Sequence, residues 1–534
     1  MSEVSQSTKK LISNYQLWHK SLQMQEGVPL IHVDEVVSRV ATFYENMRGV
    51  IDWREEHLLR KTAIERILKR RIFLKRSGKE ISEPFINELI RGGLFPNDAI
   101  PESKIAAIQK SINKYIYILE NAPSDNKQKL KSRLYDLILG IAACEMEEVL
   151  SPFIKETALM DFMLEQMREK IEVSGISLIS KAMPEDEKDA QIYIAIQKAL
   201  FKLDDPLINY NLLKKWHSDW LDLPQEKLAE LSKNIYAVWE KFEKSLKHPL
   251  AEKFYAICER YDTAYLLLGD VIAAQPSEAA NTMKNPDILE GKIKAAYKER
   301  LKKNKGRLKR AAFYSTISIL LSKILLAFAI EVPFDKYVAH EFSYNNLGLN
   351  VIIPPMLMAF LVLSIRPPSK QNEQLAVMEV VKIVYDRERK DTYSVRPARK
   401  RGFILNSVII LLYLLSFAGS FGFIVWGLRK LEFSIISIVI FLMFISLISF
   451  TGVKIRQRSK ELKIEKDEES FFTIFIDLFS LPIIQMGRWL SNQWVKYNAI
   501  VILFNSLLDM PFQVFVEFLE QWRSFLKERK EEIH

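Results

Sequence analysis

Two patterns divide this chain. Up to about residue 310, hydrophobic positions recur at helical spacing among polar ones; beyond it they run on for about 19 to 24 residues at a stretch. In the first part Val33, Val36, Val37, Val40, Phe43, Tyr44, Met47, Val50 and Ile51 fall at three- and four-residue intervals, and the pattern continues through charged residues toward Arg76. A helix of that length would measure about 65 Å at 1.5 Å per residue. Gly49 offers it a bend. Further starts and stops are written in local chemistry. Ser82, Glu83 and Pro84 open a helix that Gly92-Gly93 ends. Ser124-Asp125 opens one toward Leu150, which Pro152 breaks, and Met183-Pro184-Glu185 and Asp204-Asp205-Pro206 open two more. Pro224 starts a helix through Leu246, and Pro249 another to about Ala274, with Pro276 to Pro286 as a loop. No run of alternating β-branched residues is long enough to suggest a sheet.

Four apolar runs follow, at 311–330, 347–365, 403–426 and 433–453. Each suffices to cross a hydrocarbon core of about 30 Å. Charge orients them. Residues 298–310 carry eight Lys/Arg and one acid; 331–346 carry one Lys and three acids; 366–401 carry ten Lys/Arg; 454–466 carry six. Basic and poor connections alternate, as the positive-inside rule requires, with Arg429-Lys430 a mild departure on a short hairpin. The expectation is a cell (inner) membrane protein, multi-pass, with both termini cytoplasmic and no cleavable signal peptide in the polar stretch Met1 to Lys10.

Composition adds exclusions. Glycine is scarce, 17 in 534, which favours helix over phosphate-loop arrays and β-solenoids. The two cysteines, Cys144 and Cys258, cannot build a disulfide framework or a cysteine zinc cluster. The net charge of +10 suggests nucleic acid until it is located. The three basic segments at 298–310, 366–401 and 454–466 sum to +16, so the rest of the chain totals −6. The excess is juxtamembrane, and nucleic acid is not expected as a partner. Arg66, Lys69, Arg70, Arg71, Lys75 and Arg76 read as a solvated helix face beside Glu55, Glu56 and Glu65. Lys298, Arg300, Lys302, Lys303, Lys305, Arg307, Lys309 and Arg310 are candidate contacts for anionic lipid headgroups as well as topology signals.

Candidate chemistry is sparse. Lys323 stands near the middle of the first run, with Ser315, Thr316, Ser318 and Ser322. Inserting it costs about 2.5–3.5 kcal/mol, and the strongly apolar residues from Phe313 to Ile330 return roughly 3–6 kcal/mol. Lys323 is then either a snorkelling or paired structural lysine or part of a substrate or ion path. Asn350 and the kinking pair Pro354-Pro355 mark the second run. In the third, Ser416/Ser420 and Ala418/Gly422, with Gly419, give small residues four apart and so a close-packing face, open to a protein partner or self-association. After Lys466, Thr473, Asp477, Ser480, Arg488 and Ser491, then Asn505, Asp509, Gln513, Glu517 and Gln521, form polar stripes on otherwise apolar segments. These suit amphipathic helices lying in the interface or packed under the bundle, with Trp489, Trp494 and Trp522 as interface anchors. Neither G-x-x-x-x-G-K-[ST], G-x-G-x-x-G, H-E-x-x-H nor G-x-S-x-G occurs. His217 with Asp219 lies beside Trp216 and Trp220 on an amphipathic segment, where a packed histidine is the ordinary outcome, and Asp204-Asp205 sits where a helix cap explains it. No catalytic residue, cofactor or metal site is assigned.

The stretch from Asp189 to Phe201, followed by Asp204-Asp205-Pro206, and the ending from Met510-Pro511-Phe512 to Ile533 resemble uncharacterised multipass membrane proteins of uncultivated small-genome bacteria. The resemblance covers about the last two-thirds of the chain. It implies a bacterial inner-membrane address and carries over no catalytic residue.

The sequence therefore reads as all-α: a cytoplasmic helical domain over 1–297, a basic juxtamembrane segment at 298–310, a four-span transmembrane bundle over 311–453, and amphipathic C-terminal helices over 454–534. Its leading function is that of a non-enzymatic membrane-anchored scaffold or interaction protein. A transporter or channel component using Lys323 and the Pro354-Pro355 kink is the alternative, and a membrane-embedded enzyme comes third.

Overall fold

A computed structural model describes residues 4–22, 27–33, 56–74, 80–123, 128–173, 183–340, 343–364, 368–385, 392–396, 402–460, 462–464 and 471–496, with Phe518, Trp522 and Phe525. Among the described residues the fold is all-α apart from one pair of three-residue strands and a single bridge from Leu30 to Pro101. The chain divides into two compact units. One holds Met1–Lys284 together with Val384–Pro397, and the other holds Asn285–Ile383 and Ala398–Ile502.

The first unit begins with α1 (Gln6–Ser21), α2 (Glu56–Leu74), α3 (Ser82–Arg91), α4 (Ser103–Glu120), α5 (Gln128–Leu150) and α6 (Ile154–Lys170). After β1 (Ile171–Val173) come α7 (Glu185–Phe201), α8 (Asp205–Trp216), α9 (Gln225–Lys233), α10 (Ile235–Leu246), α11 (Ala251–Ala274) and α12 (Ala279–Lys284). The punctuation works as chemistry. The Asp204 carboxylate accepts from Leu207 N at 3.3 Å and Pro206 occupies the first turn of α8, while Glu185, Asp186 and Glu187 crowd the positive N-terminal end of α7. Gly92 caps α3, and Gly93 takes a φ of 71°, which glycine adopts freely. Two expectations change. The helix from Pro224 to Leu246 is broken at Asn234 into α9 and α10, and the loop between Pro276 and Pro286 contains α12. The section of the long N-terminal helix from Val36 to Ile51, and the start at Ser124-Asp125, lie outside the described residues.

One carboxylate organises the middle of this unit. Glu145 of α5, almost wholly buried, accepts from Ser111 Oγ (2.6 Å), Lys114 Nζ (2.7 Å) and Tyr115 OH (2.7 Å) of α4. It also accepts from Trp220 Nε1 (2.8 Å) in the turn after α8. A buried charge is tolerated when its lone pairs are filled and an opposite charge is at hand, and both hold here.

The strand pair was not anticipated. β1 pairs in parallel with β2 (Tyr393–Val395), matching Ile171 with Tyr393, Glu172 with Ser394 and Val173 with Val395. Three residues give no alternation to detect. The returning segment is held by more than the ladder. The Tyr393 and Tyr261 hydroxyls share a hydrogen bond, Lys253 Nζ donates to the Arg396 carbonyl, and Tyr385 OH donates to the Met283 carbonyl at 2.8 Å. Ser5 N donates to the Val384 carbonyl at 3.1 Å. Residues 384–397 thus belong to the first unit, although the sequence assigned them to a basic loop between apolar runs.

The second unit is built from α13 (Pro286–Leu326), α14 (Tyr344–Leu363), α15 (Lys370–Tyr385, whose last two residues belong to the first unit), α16 (Phe403–Lys430), α17 (Ile435–Ser459) and α18 (Phe471–Lys496). Asn285 caps α13 through Asp287 N and Ile288 N, so the helix that enters the first apolar run starts some 12 residues before position 298. Among the described residues four helices are long and apolar enough to cross a membrane: Pro286–Val338, Tyr344–Leu363, Phe403–Lys430 and Ile435–Ser459. Only 11% of the apolar stretch of α16 is buried, against 39% for α17, so α17 is central and α16 peripheral. Phe403, Ile404 and Leu405 on α16 stand exposed, as lipid-facing side chains do. Met358 of α14 shares an apolar cluster with Ile440, Phe444, Ile448 and Ile455 of α17, and Leu308, Ile319 and Leu326 of α13 pack against it.

α18 packs alongside α16 and α17. Pro482 has no amide hydrogen for the Leu478 carbonyl, and Ser416 Oγ of α16 supplies the missing donor at 2.6 Å. Ser420 Oγ donates to the Phe479 carbonyl at 2.6 Å, and the Phe479 ring lies over Gly419. At Gly487 a Cβ would run into the Ser446 carbonyl, so this crossing requires glycine. The small-residue face of α16 is therefore occupied by the chain's own α18 at Ser416, Gly419 and Ser420, whereas Gly422 faces open space. The stripe of Asn505, Asp509, Gln513, Glu517 and Gln521 lies outside the described residues.

Candidate functional site

The sequence ends the first apolar helix near Ile330 and puts Glu331 in the following connection. In the structure the helix continues. Two π turns, Ala327–Glu331 and Asp335–Ala339, flank the short α-helical stretch Val332–Phe334. Pro333 gives the physical reason. Its ring collides with the carbonyl four residues back and it offers no amide hydrogen, and a widened turn relieves both problems.

That widening assembles a site. With 3.6 residues per turn, eight residues advance a helix about 80° past the starting face. A π turn of roughly 4.4 residues takes back nearly all of that excess. Glu331 therefore returns to the face of Lys323, and the two form an ion pair with side chains 0% and 1% exposed. Asn350 of α14, 1% exposed, donates from Nδ2 to Glu331 Oε2 at 2.8 Å. The Lys323 ammonium lies 5.3 Å from the centre of the Phe444 ring. Four residues further on, Asp335 Oδ2 accepts from Ser437 Oγ of α17 at 3.3 Å, and Ser437 N in turn donates to Ser434 Oγ.

Of the residues singled out in the sequence, Lys323 and Asn350 are brought together, through Glu331. Pro354 and Pro355 lie buried in α14 just beyond them, inside a helix that continues through both. Having no amide hydrogens, they leave the Asn350 and Val351 carbonyls without their usual helical donors. Glu331, Asp335 and Ser437 were missed. The readable signal was Pro333, two residues after an acid that follows Lys323 by eight. The eight basic residues from Lys298 to Arg310 line the middle of α13, all exposed except the half-buried Arg300. Lys298 lies 3.9 Å from Glu373, and Lys303 pairs with Glu299 at 2.7 Å.

The first unit offers less chemistry. His217 ends α8 with its ring 6.4 Å from that of Trp220, while Asp219 pairs with Lys227 at 2.7 Å, so the two do not act together. Asp204, besides its capping role, accepts from buried Lys61 Nζ at 2.9 Å. Cys144 and Cys258 are buried; burial drives the Cys144 thiol well upward and pushes Cys258 up to about 12. Burial also pushes Glu147 and Asp262 up to about 7. A cleft of about 290 Å³ is lined by Gln191, Lys198, Lys202, Glu252 and Tyr255. Among the described residues no three His, Cys, Asp or Glu side chains gather as metal ligands would. No family model, no curated protein and no solved structure matches the chain.

Proposed function

We propose that this is a multi-pass membrane protein whose helical first unit is an anchored, non-enzymatic interaction module on the cytoplasmic face of the cell membrane. The observation that carries the reading is the pairing of β1 with β2. Two of the apolar helices separate these strands in sequence, yet the strands share one compact unit. That arrangement supports an even number of crossings between them and a first unit fastened to the connection between the second and third crossings. The basic content of 298–310 and 366–401 supports the cytoplasmic assignment.

Two measurements test it. Cysteines introduced singly as Asp125→Cys, His340→Cys, Lys390→Cys and Lys530→Cys are expected to react with an impermeant reagent in intact cells only at 340; external labelling at 390 or 530 overturns the topology. Affinity purification of the intact protein in mild detergent is expected to retain a partner protein that is lost when the first unit is removed. Recovery of lipid alone overturns the interaction role.

A further inference from the structure

The polar cluster between the first, second and fourth apolar helices contains more acceptors than its donors fill. Asn350 Nδ2 is taken by Glu331, which leaves Asn350 Oδ1 buried with no hydrogen-bond partner. Asp335 Oδ2 accepts from Ser437, while Asp335 Oδ1 is likewise buried and unpartnered. The Asn350 backbone carbonyl is a third acceptor, deprived of its helical donor by Pro354.

These groups stand at one level of the bundle. α14 and α17 run side by side in the same direction. Asn346 Nδ2 donates to the Glu432 carbonyl at one end, and Met358 shares a cluster with Phe444 and Ile448 further along. That register sets Asn350 beside the first turn of α17, where Ser437 holds Asp335. The charges do not cancel. Lys323 compensates Glu331, and Asp335 is left as one unneutralised carboxylate. Buried acceptor oxygens with a single surplus negative charge match a small, hard, singly charged cation, which takes oxygen ligands.

The geometry points to a binding site for one sodium-sized monovalent cation at Asp335, Asn350 and Ser437. Asp335 Oδ1 and Asn350 Oδ1 are the principal ligands, and the Ser437 hydroxyl and the Asn350 carbonyl complete the shell. Glu331 is a positioning residue that fixes the Asn350 amide with its oxygen outward. Lys323 holds Glu331 in turn and keeps its own ammonium toward Phe444, away from the ion. The site stands independently of the interaction role, since a chain that binds sodium but no partner, or a partner but no sodium, separates the two readings.

The test uses the full-length protein in mild detergent, with thermal unfolding compared in sodium, potassium and choline chloride at equal ionic strength. The melting temperature is expected to rise with the logarithm of sodium concentration above the dissociation constant, by about 3 °C at ten times that constant. Choline should not reproduce the rise. Asp335→Asn is expected to abolish the sodium response, and Lys336→Gln, at an exposed neighbour, to retain it. Equilibrium binding of radioactive sodium to the unmutated protein, expected at one ion per chain, keeps the proposal testable if Asp335→Asn fails to fold. Equal melting in all three salts, a sodium response that survives Asp335→Asn, or no saturable sodium binding overturns it.

Discussion

Each unit buries a lysine–glutamate pair, and the two pairs are finished differently. Around Glu145, Lys114 supplies the charge, and Ser111, Tyr115 and Trp220 supply three further donors. Lys114 also donates to the Trp220 carbonyl at 3.0 Å. That pair is closed. Among the described residues the donors around Glu331 are Lys323 and Asn350, and Asn350 Oδ1 and Asp335 Oδ1 nearby go without partners. The helices differ in what they can offer. α4 brings an aromatic hydroxyl, and the turn after α8 an indole, to the α5 carboxylate in an apolar core, whereas around Glu331 the apolar helices bring only an ammonium and an amide. A closed pair fixes structure. An open one leaves coordination to be completed by something else.

The largest expected effect is at the closed pair. Glu145→Ala strands a buried ammonium and three donors, and should destabilise the first unit by about 3–5 kcal/mol, read from thermal unfolding by tryptophan fluorescence. A loss below about 1 kcal/mol, the scale of an exposed pair, would break the comparison.

Next comes a buried carboxylate of the same unit that lacks such donors. Glu147 has Arg60 only at 4.0 Å, and burial raises it to about 7 from the ordinary 4.5. Between those values the folded state holds a proton that the unfolded state has released, so stability falls as pH rises through that window. The fall amounts to at most about 3 kcal/mol. Glu147→Gln should remove about half of the slope between pH 5 and 7, the rest belonging to Asp262, which burial also pushes up to about 7; an unchanged slope would place the titration elsewhere.

The smallest effect belongs to the open pair. Lys323→Met should cost about 2 kcal/mol of thermal stability in detergent, because side-chain bonds between apolar helices are worth less against a reference state that also finds partners. Lys323→Met combined with Glu331→Gln should recover most of that loss. A double variant no better than the single would mean that Lys323 acts through something other than Glu331.

Much of this was readable in the sequence. Caps and breakers are local chemistry, so Asp204, Pro206, Gly92 and Gly93 mark their helix ends wherever the rest of the chain goes. The apolar runs are longer than any ordinary buried helix, and Lys323 stands out because its neighbours are apolar. Other features depended on distant partners. Glu331 looks like the first residue of an acidic connection until Pro333 forces the π turn that carries it back into the helix. Ser416 and Ser420 announce close packing but not that Leu478 and Phe479 are what they pack against. Ile171–Val173 and Tyr393–Val395 are too short to show a period, and each becomes a strand only beside the other.

The parallel pairing of those strands also fixes an order of events during synthesis. More than two hundred residues separate Val173 from Val395. At the usual pace of translation the second strand leaves the ribosome roughly ten to forty seconds after the first. Throughout that interval β1 has an open edge, and α13 and α14 emerge before the edge can be covered. The first unit is therefore completed only after two of the apolar helices have left the ribosome, so a chain stalled between residues 173 and 393 is left with an unsealed strand.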